Sequence, residues 1–175
     1  MLWALLLLFQ PPNAPRTPLA TVCEVLKNPS AYEYKPVAVV GRFERSVSLI
    51  DSLEYLAQEG CGTGRATRIL ITTDHYDGPA PPNDRPDLDP GNLAGKLANV
   101  RKTTALGTHK EPRYKMVDNR ITFSEFVDVP NEWAVVYGRL AKIPEPGQDE
   151  VRYAILVASA NIQRLTEDGA LRPSN

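Results

Sequence analysis

Two short stretches, VAVVGRF at 37–43 and AVVYGRL at 134–140, constrain the fold of this chain more than any other feature. Each is a β-branched run closing on Gly-Arg and a large apolar residue, and β-branched side chains suit the pleated surface of a strand. A glycine inside such a run removes the side chain at one point, which a strand needs at a bulge or where another backbone crosses closely. A chain that does this in two strands is predicted to coil its sheet sharply, as a small closed barrel must. Gly41 and Gly138 are therefore read as curvature positions. Arg42 and Arg139, one residue on, are predicted to point to the opposite side by strand alternation.

Composition narrows the class. Sixteen prolines in 175 residues are about 9% against a usual ~5%, which favours rigid turns and short elements over long helices. With 42% hydrophobic and 23% charged residues the chain suits one globular domain with its own core. Twenty basic residues face twenty-one acidic ones, for a net charge of −1. No long-range field draws such a chain onto polyanions, so non-specific nucleic-acid binding is disfavoured.

The N-terminus, MLWALLLLFQPPNAPRTPLA, carries an apolar run from Leu2 to Phe9 and then breaks into proline. As a helix the run would rise only ~12 Å, short of the ~20 residues that cross a bilayer. Residues 1–20 are read as a signal peptide and proline-rich tether, although no Lys or Arg precedes the run. A buried N-terminal strand or helix is the alternative. Export to the periplasm or beyond makes Cys23 and Cys61 informative: an oxidising compartment favours a bridge between them, and two buried thiols would be the cytosolic alternative. Two Cys and two distant His lack the close ligand pairs of a zinc site.

Along the chain, TVCEVLKNP has a helix signature, with Thr21 and Glu24 at capping-box spacing and Asn28-Pro29 as the stop. Pro36 to Phe43 alternates with strand period, placing Val37, Val39, Gly41 and Phe43 on one face, and the strand extends toward Val47. A return strand follows around Tyr55-Leu56-Ala57 and a third at Arg68–Thr73. Residues 74–91 form a stiff loop rich in Pro and Asp. Leu93, Leu97 and Val100 then stand at helical spacing, with Gly107 as a stop. Thr108 to Val129 is polar, with a possible strand at Ile121-Thr122-Phe123. Glu132 to Ile143 and Val151 to Leu165 are two further strands, and the tail from Thr166 is read as flexible. The order predicts a mainly β fold: one domain over 21–165, a small five-stranded barrel of the oligonucleotide/oligosaccharide-binding (OB) type. A short N-terminal helix and one helix between strands three and four complete it.

NPSAYEYKPVAVVGRF resembles the opening of exported bacterial OB-fold domains, in which an Asn-Pro-x-x-Tyr turn leads to a Lys-x-Val-x-Val-x-Gly first strand. WAVVYGRL, YAILVASANIQRL and the positions of Cys23 and Cys61 resemble the same family. The resemblance covers 21–63 and 132–165. The chain departs from it at Glu33-Tyr34, where such domains place a glycine before the lysine. It implies the barrel and export, but no settled activity.

No catalytic, cofactor-binding or metal-binding set emerges. His75 and His109, the only imidazoles, sit in no nucleophile motif. Asp74, Asp77, Asp84, Asp87 and Asp89 match no EF-hand spacing, and the interleaved prolines favour a solvated turn cluster. Tyr55, Trp133, Tyr137 and Tyr153 with Arg42, Arg45, Arg65, Arg68 and Arg139 could stack and neutralise a single strand, but strand aromatics more often pack a core. The reading is a non-enzymatic binding or interaction module of the cell envelope, taking an envelope protein or small ligand. Its candidate face carries Arg42, Arg45, Tyr137 and Arg139. An envelope hydrolase on the same scaffold, or an OB-type single-strand or oligosaccharide binder, are the alternatives.

Overall fold

The computed structural model describes residues 17–47, 52–62, 68–73, 87–143, 152–157 and 161–172. The predicted signal segment up to residue 16, Arg65, His75, Asp74, Asp77 and Asp84 lie outside the described residues. Leu19–Thr21 (β1), partly counted above with the tether, pairs in parallel with Pro36–Val47 (β2). Between them Val22–Lys27 (α1) is capped as its sequence predicts: the Thr21 hydroxyl accepts from the Glu24 N–H, and the Glu24 carboxylate accepts from the Thr21 N–H. A 3-10 turn at Pro29–Ala31 leads to Tyr34, which holds the left-handed φ of 58°. A tyrosine thus adopts the backbone that glycine takes most cheaply. The turn is fixed by the Tyr34 N–H donating to the Leu140 carbonyl, 2.8 Å away, and by Arg139 donating to the Tyr34 carbonyl at 2.7 Å.

Ser52–Ala57 (β3) and Arg68–Thr72 (β4) follow, then Pro90–Arg101 (α2), whose N-cap Asp89 accepts from the Gly91 N–H. The helix ends before Gly107, which stands later in the connection with φ 63°. Thr108–Val117 (β5) and Arg120–Pro130 (β6) form a separate two-stranded sheet. Glu132–Ile143 (β7), Arg152–Leu156 (β8) and Ile162–Leu165 (β9) complete the chain. The run read as one strand from Val151 is therefore two, both paired with β7. Residues 166–172, read as a flexible tail, are tied down: Leu171 bridges Leu165, and Arg172 pairs with Glu132 at 2.7 Å.

Strands β2, β3, β4, β8 and β7 close into a ring. Its single parallel contact is β4 with β8, and α2 lies between the third and fourth barrel strands, as in an OB-type barrel. Alternation along β2 divides the core in two. Val37, Val39 and Phe43 point inside with Leu56, Ile69, Leu140 and Ile155, and α1 adds Val22 and Val25. Ala38 and Val40 point outside, where Leu93, Leu97 and Val100 of α2 cover them with Trp133, Val135 and Tyr137. Each fully buried aliphatic side chain contributes about 1.5–3 kcal/mol.

The glycines mark changes of neighbour. Along one edge β2 meets β1 at 38–40 and β3 from Arg42; along one edge β7 meets β9 at 133–136 and β8 from Arg139. Gly41 and Gly138 fall at the two changeovers. Neither is a bulge, because the β2–β7 ladder runs through both without a shift of register. They serve instead the close approach of a crossing backbone, and each faces the barrel interior.

Lys96 of α2 reaches the Glu24 carboxylate of α1 at 2.6 Å. Partial burial pushes that carboxyl up, but donation from Lys96 and from the Thr21 backbone outweighs it and holds the group below its ordinary value. A depressed folded-state value stabilises above the unfolded carboxylate range, and that stabilisation is lost as pH falls through the folded value. Glu24→Gln is expected to melt below the parent at neutral pH and to converge on it as the pH falls through the depressed Glu24 carboxyl value. Circular dichroism melts against pH check this, and a gap unchanged by acid would count against Glu24 as its source.

Candidate functional site

Where β5 leaves the barrel, a cleft of about 480 Å3 opens between the barrel rim and the paired strands β5 and β6. Phe43, Leu106, Val129 and Pro130 give it apolar walls, and Arg45, His109, Glu111, Glu132, Arg164 and Arg172 give it charge. Arg45 meets Glu54 at 2.8 Å, its partner across β2 and β3, and reaches Glu111 on β5 at 3.5 Å. Arg164 and Arg172 converge on Glu132 at 2.9 and 2.7 Å. The Arg164 guanidinium lies 3.5 Å over the Phe43 ring, and burial, opposed by Glu132, pulls it below its ordinary value. Its Nη1 is buried without a hydrogen-bond partner among the described residues. A smaller cleft of about 280 Å3, lined by Glu44, Tyr55 and Arg68 among others, shares Arg45 and His109 with the first.

His109 faces two oxygens: Asn131 Oδ1 at 2.9 Å and Glu111 Oε1 at 3.0 Å. Asn131 Nδ2 donates to the Leu106 carbonyl, which sets the amide's orientation. The histidine thus fastens the root of β5 to the barrel, and its recorded partners are an amide and a carboxylate rather than a nucleophile. Among the described residues no group of three or more His, Cys, Asp or Glu side chains is placed to hold a metal ion.

The predicted face does not assemble as one surface. Arg42 and Arg45, three residues apart on one strand, leave β2 on opposite sides. Arg42 donates to Glu44 at 2.8 Å, to Glu59 at 3.0 Å and to the Ala105 carbonyl, clasping the segment after α2 to the barrel. Tyr137 is buried in the layer under α2, and Arg139 sits opposite Pro36, far along the ladder from Arg42 opposite Trp133. Arg45 alone of the four lines the cleft. Trp133 is buried beside Tyr137, so these two aromatics form no stacking surface for bases. Cys23 and Cys61 do meet, in a disulfide with Cα atoms 4.9 Å apart.

The largest feature that the sequence reading left incomplete is the arm formed by β5 and β6, of which it predicted only the strand at Ile121-Thr122-Phe123. It turns at Asp118-Asn119, both with positive φ, and pairs from Thr108↔Pro130 to Val117↔Arg120, shifting register once at Arg113/Tyr114. The pairs Pro112↔Phe126, Tyr114↔Phe123 and Met116↔Ile121 put six apolar residues on one face. Tyr114 and Phe123 meet edge to face at 6.3 Å, and Phe123 and Phe126 lie 5.0 Å apart. Yet Ile121 is 74% exposed, Met116 65% and Phe126 52%. Comparison with family models, with curated proteins and with solved structures finds no match for this chain.

Proposed function

We propose that the protein is a non-enzymatic binding or interaction module, exported to the periplasm or beyond and stapled by its disulfide. The arm carries this reading: a contiguous apolar face left in water marks an interaction surface, since scattered exposed apolar residues alone would not. The cleft at its root adds guanidinium groups paired with the Glu111 and Glu132 carboxylates between apolar walls, a polar rim beside that apolar face. Export draws support from the Cys23–Cys61 bridge, because such bridges persist in oxidising compartments. The apolar N-terminal run and the resemblance of NPSAYEYKPVAVVGRF to exported bacterial OB-fold domains point the same way. Among the described residues no helix is long and apolar enough to cross a membrane. Intact-mass measurement on protein recovered from the envelope or medium is the test. The expected species is shortened by about 20 residues and gains two reactive thiols only after reduction. A full-length chain confined to the cytosol with both thiols reactive would overturn the assignment.

A further inference from the structure

His109 is bound at the root of the arm through both nitrogens of its ring, and the two contacts together fix how many protons the ring must carry. Asn131 Nδ2 donates to the Leu106 carbonyl at 2.9 Å, so the amide turns its oxygen to His109 Nδ1, also 2.9 Å away. Glu111 Oε1 lies 3.0 Å from Nε2 and 3.5 Å from Arg45 of β2, and an ionised carboxylate only accepts. Neither neighbour has a hydrogen to give. A ring with one N–H makes one of these bonds and sets a bare nitrogen against an oxygen at the other, whereas the imidazolium makes both. With 15% of the side chain exposed, water has little access to repair the unmade contact.

We infer that His109 is a pH-dependent latch. The doubly protonated ring completes a line of contacts from the Leu106 carbonyl through Asn131, His109 and Glu111 to Arg45, and loss of one proton breaks that line and loosens the arm on the barrel. The inference goes beyond the interaction surface proposed above and stands or falls without a partner. The joint it guards is narrow. The polypeptide enters the arm past Gly107, with φ 63°, and leaves it at Asn131, whose N–H donates to the Gly107 carbonyl at 3.1 Å. Past that joint β5 and β6 form a sheet of their own. The other charges around the ring are matched. On the arm Lys110 pairs with Asp128 at 2.7 Å. In the larger cleft Arg45 pairs with Glu54, and Arg164 and Arg172 pair with Glu132; in the smaller one Glu44 pairs with Arg68 at 3.0 Å, beside Tyr55. Carboxylates and guanidinium groups ordinarily keep their charge across about pH 5–8, the interval in which histidine changes its own. Both contacts of the ring are therefore made at acid pH, and one is lost as pH rises and the second proton leaves.

Cα relaxation measured by NMR on the oxidised full chain tests this, with the barrel strands as an internal reference for an intact fold. At about pH 5 the arm is expected to be as ordered as the barrel, with order parameters of about 0.85, and at about pH 8 to fall toward about 0.6 while the barrel is unchanged. Glu111→Gln is expected to abolish the change. An amide can donate to a bare ring nitrogen or accept from a protonated one, so both contacts survive at either pH. His109→Ala should show the loosened arm at both. A parent arm equally ordered at the two pH values overturns the latch. Loosening that Glu111→Gln does not prevent, or an arm as ordered in His109→Ala as in the acid parent, overturns His109 as its seat.

Discussion

Gly138→Ala is expected to destabilise the protein by about 3–5 kcal/mol, a large loss for the addition of one methyl group. A Cβ at 138 would lie 2.2 Å from the Leu156 carbonyl oxygen and 2.5 Å from Ile155 Cγ2. Neither neighbour can yield cheaply. Leu156 is paired with Arg139 on one side and Thr72 on the other, so making room means parting β8 from β7 at the point where β8 also closes the ring onto β4. The same substitution at Gly41 meets Val22 Cγ2 at 2.9 Å and the Ala57 carbonyl at 3.0 Å. There α1 can shift by tenths of an ångström, and the expected loss is about 1–2 kcal/mol. Replacing glycine also removes unfolded-state freedom, a gain of about 0.4–1 kcal/mol that works against both losses. Urea titrations with unchanged slopes should separate the two variants clearly. Equal midpoints, or a neutral Gly138→Ala, would mean the crossing strands are not held as closely as described.

Breaking the Cys23–Cys61 bridge is expected to cost about 4 kcal/mol by the loop-entropy relation, given a sequence separation of 38 residues. For a chain of this size that corresponds to a fall in Tm of about 8–16 °C. The bridge joins α1 to the segment after β3, where the Cys23 N–H also donates to Gln58 Oε1 at 3.0 Å. Calorimetry of the Cys23→Ala, Cys61→Ala double variant and of the reduced parent should give matching losses. A drop of less than about 1 kcal/mol in both would show that the packing of Val22 and Val25 holds α1 without the covalent link.

The barrel was legible wherever one physical requirement dominated a run of residues. Period-two alternation from Pro36 grouped Val37, Val39 and Phe43 on one face, as they are in the barrel, and the Thr21/Glu24 spacing named the cap of α1. Of the proline-interrupted arm only Ile121-Thr122-Phe123 was legible, because its apolar residues alternate with Arg113, Lys115 and Glu125 and pair across a register shift, so no longer stretch stands out as a buried strand. The signal that could have found it is Asp118-Asn119 between Val117 and Arg120, a pair suited to the left-handed backbone of a tight hairpin turn. The candidate face failed for another reason. Strand parity fixes which side a residue leaves, but it cannot say that α2 would cover Tyr137 or that Arg42 would be consumed in holding Ala105.

The parallel seam between β4 and β8 has a bearing on how the chain reaches its native state. Every other barrel contact of β4 is with its hairpin neighbour β3, so the ring stays open until the last barrel strand has been made. Contacts between segments so distant in sequence form slowly, because chain entropy is lost before they can reward it. Both cysteines lie well before β8, the strand that completes the seam, so a growing polypeptide can join them before it closes. The covalent loop would then narrow the search that the final strand must complete, making the order of synthesis part of the folding mechanism.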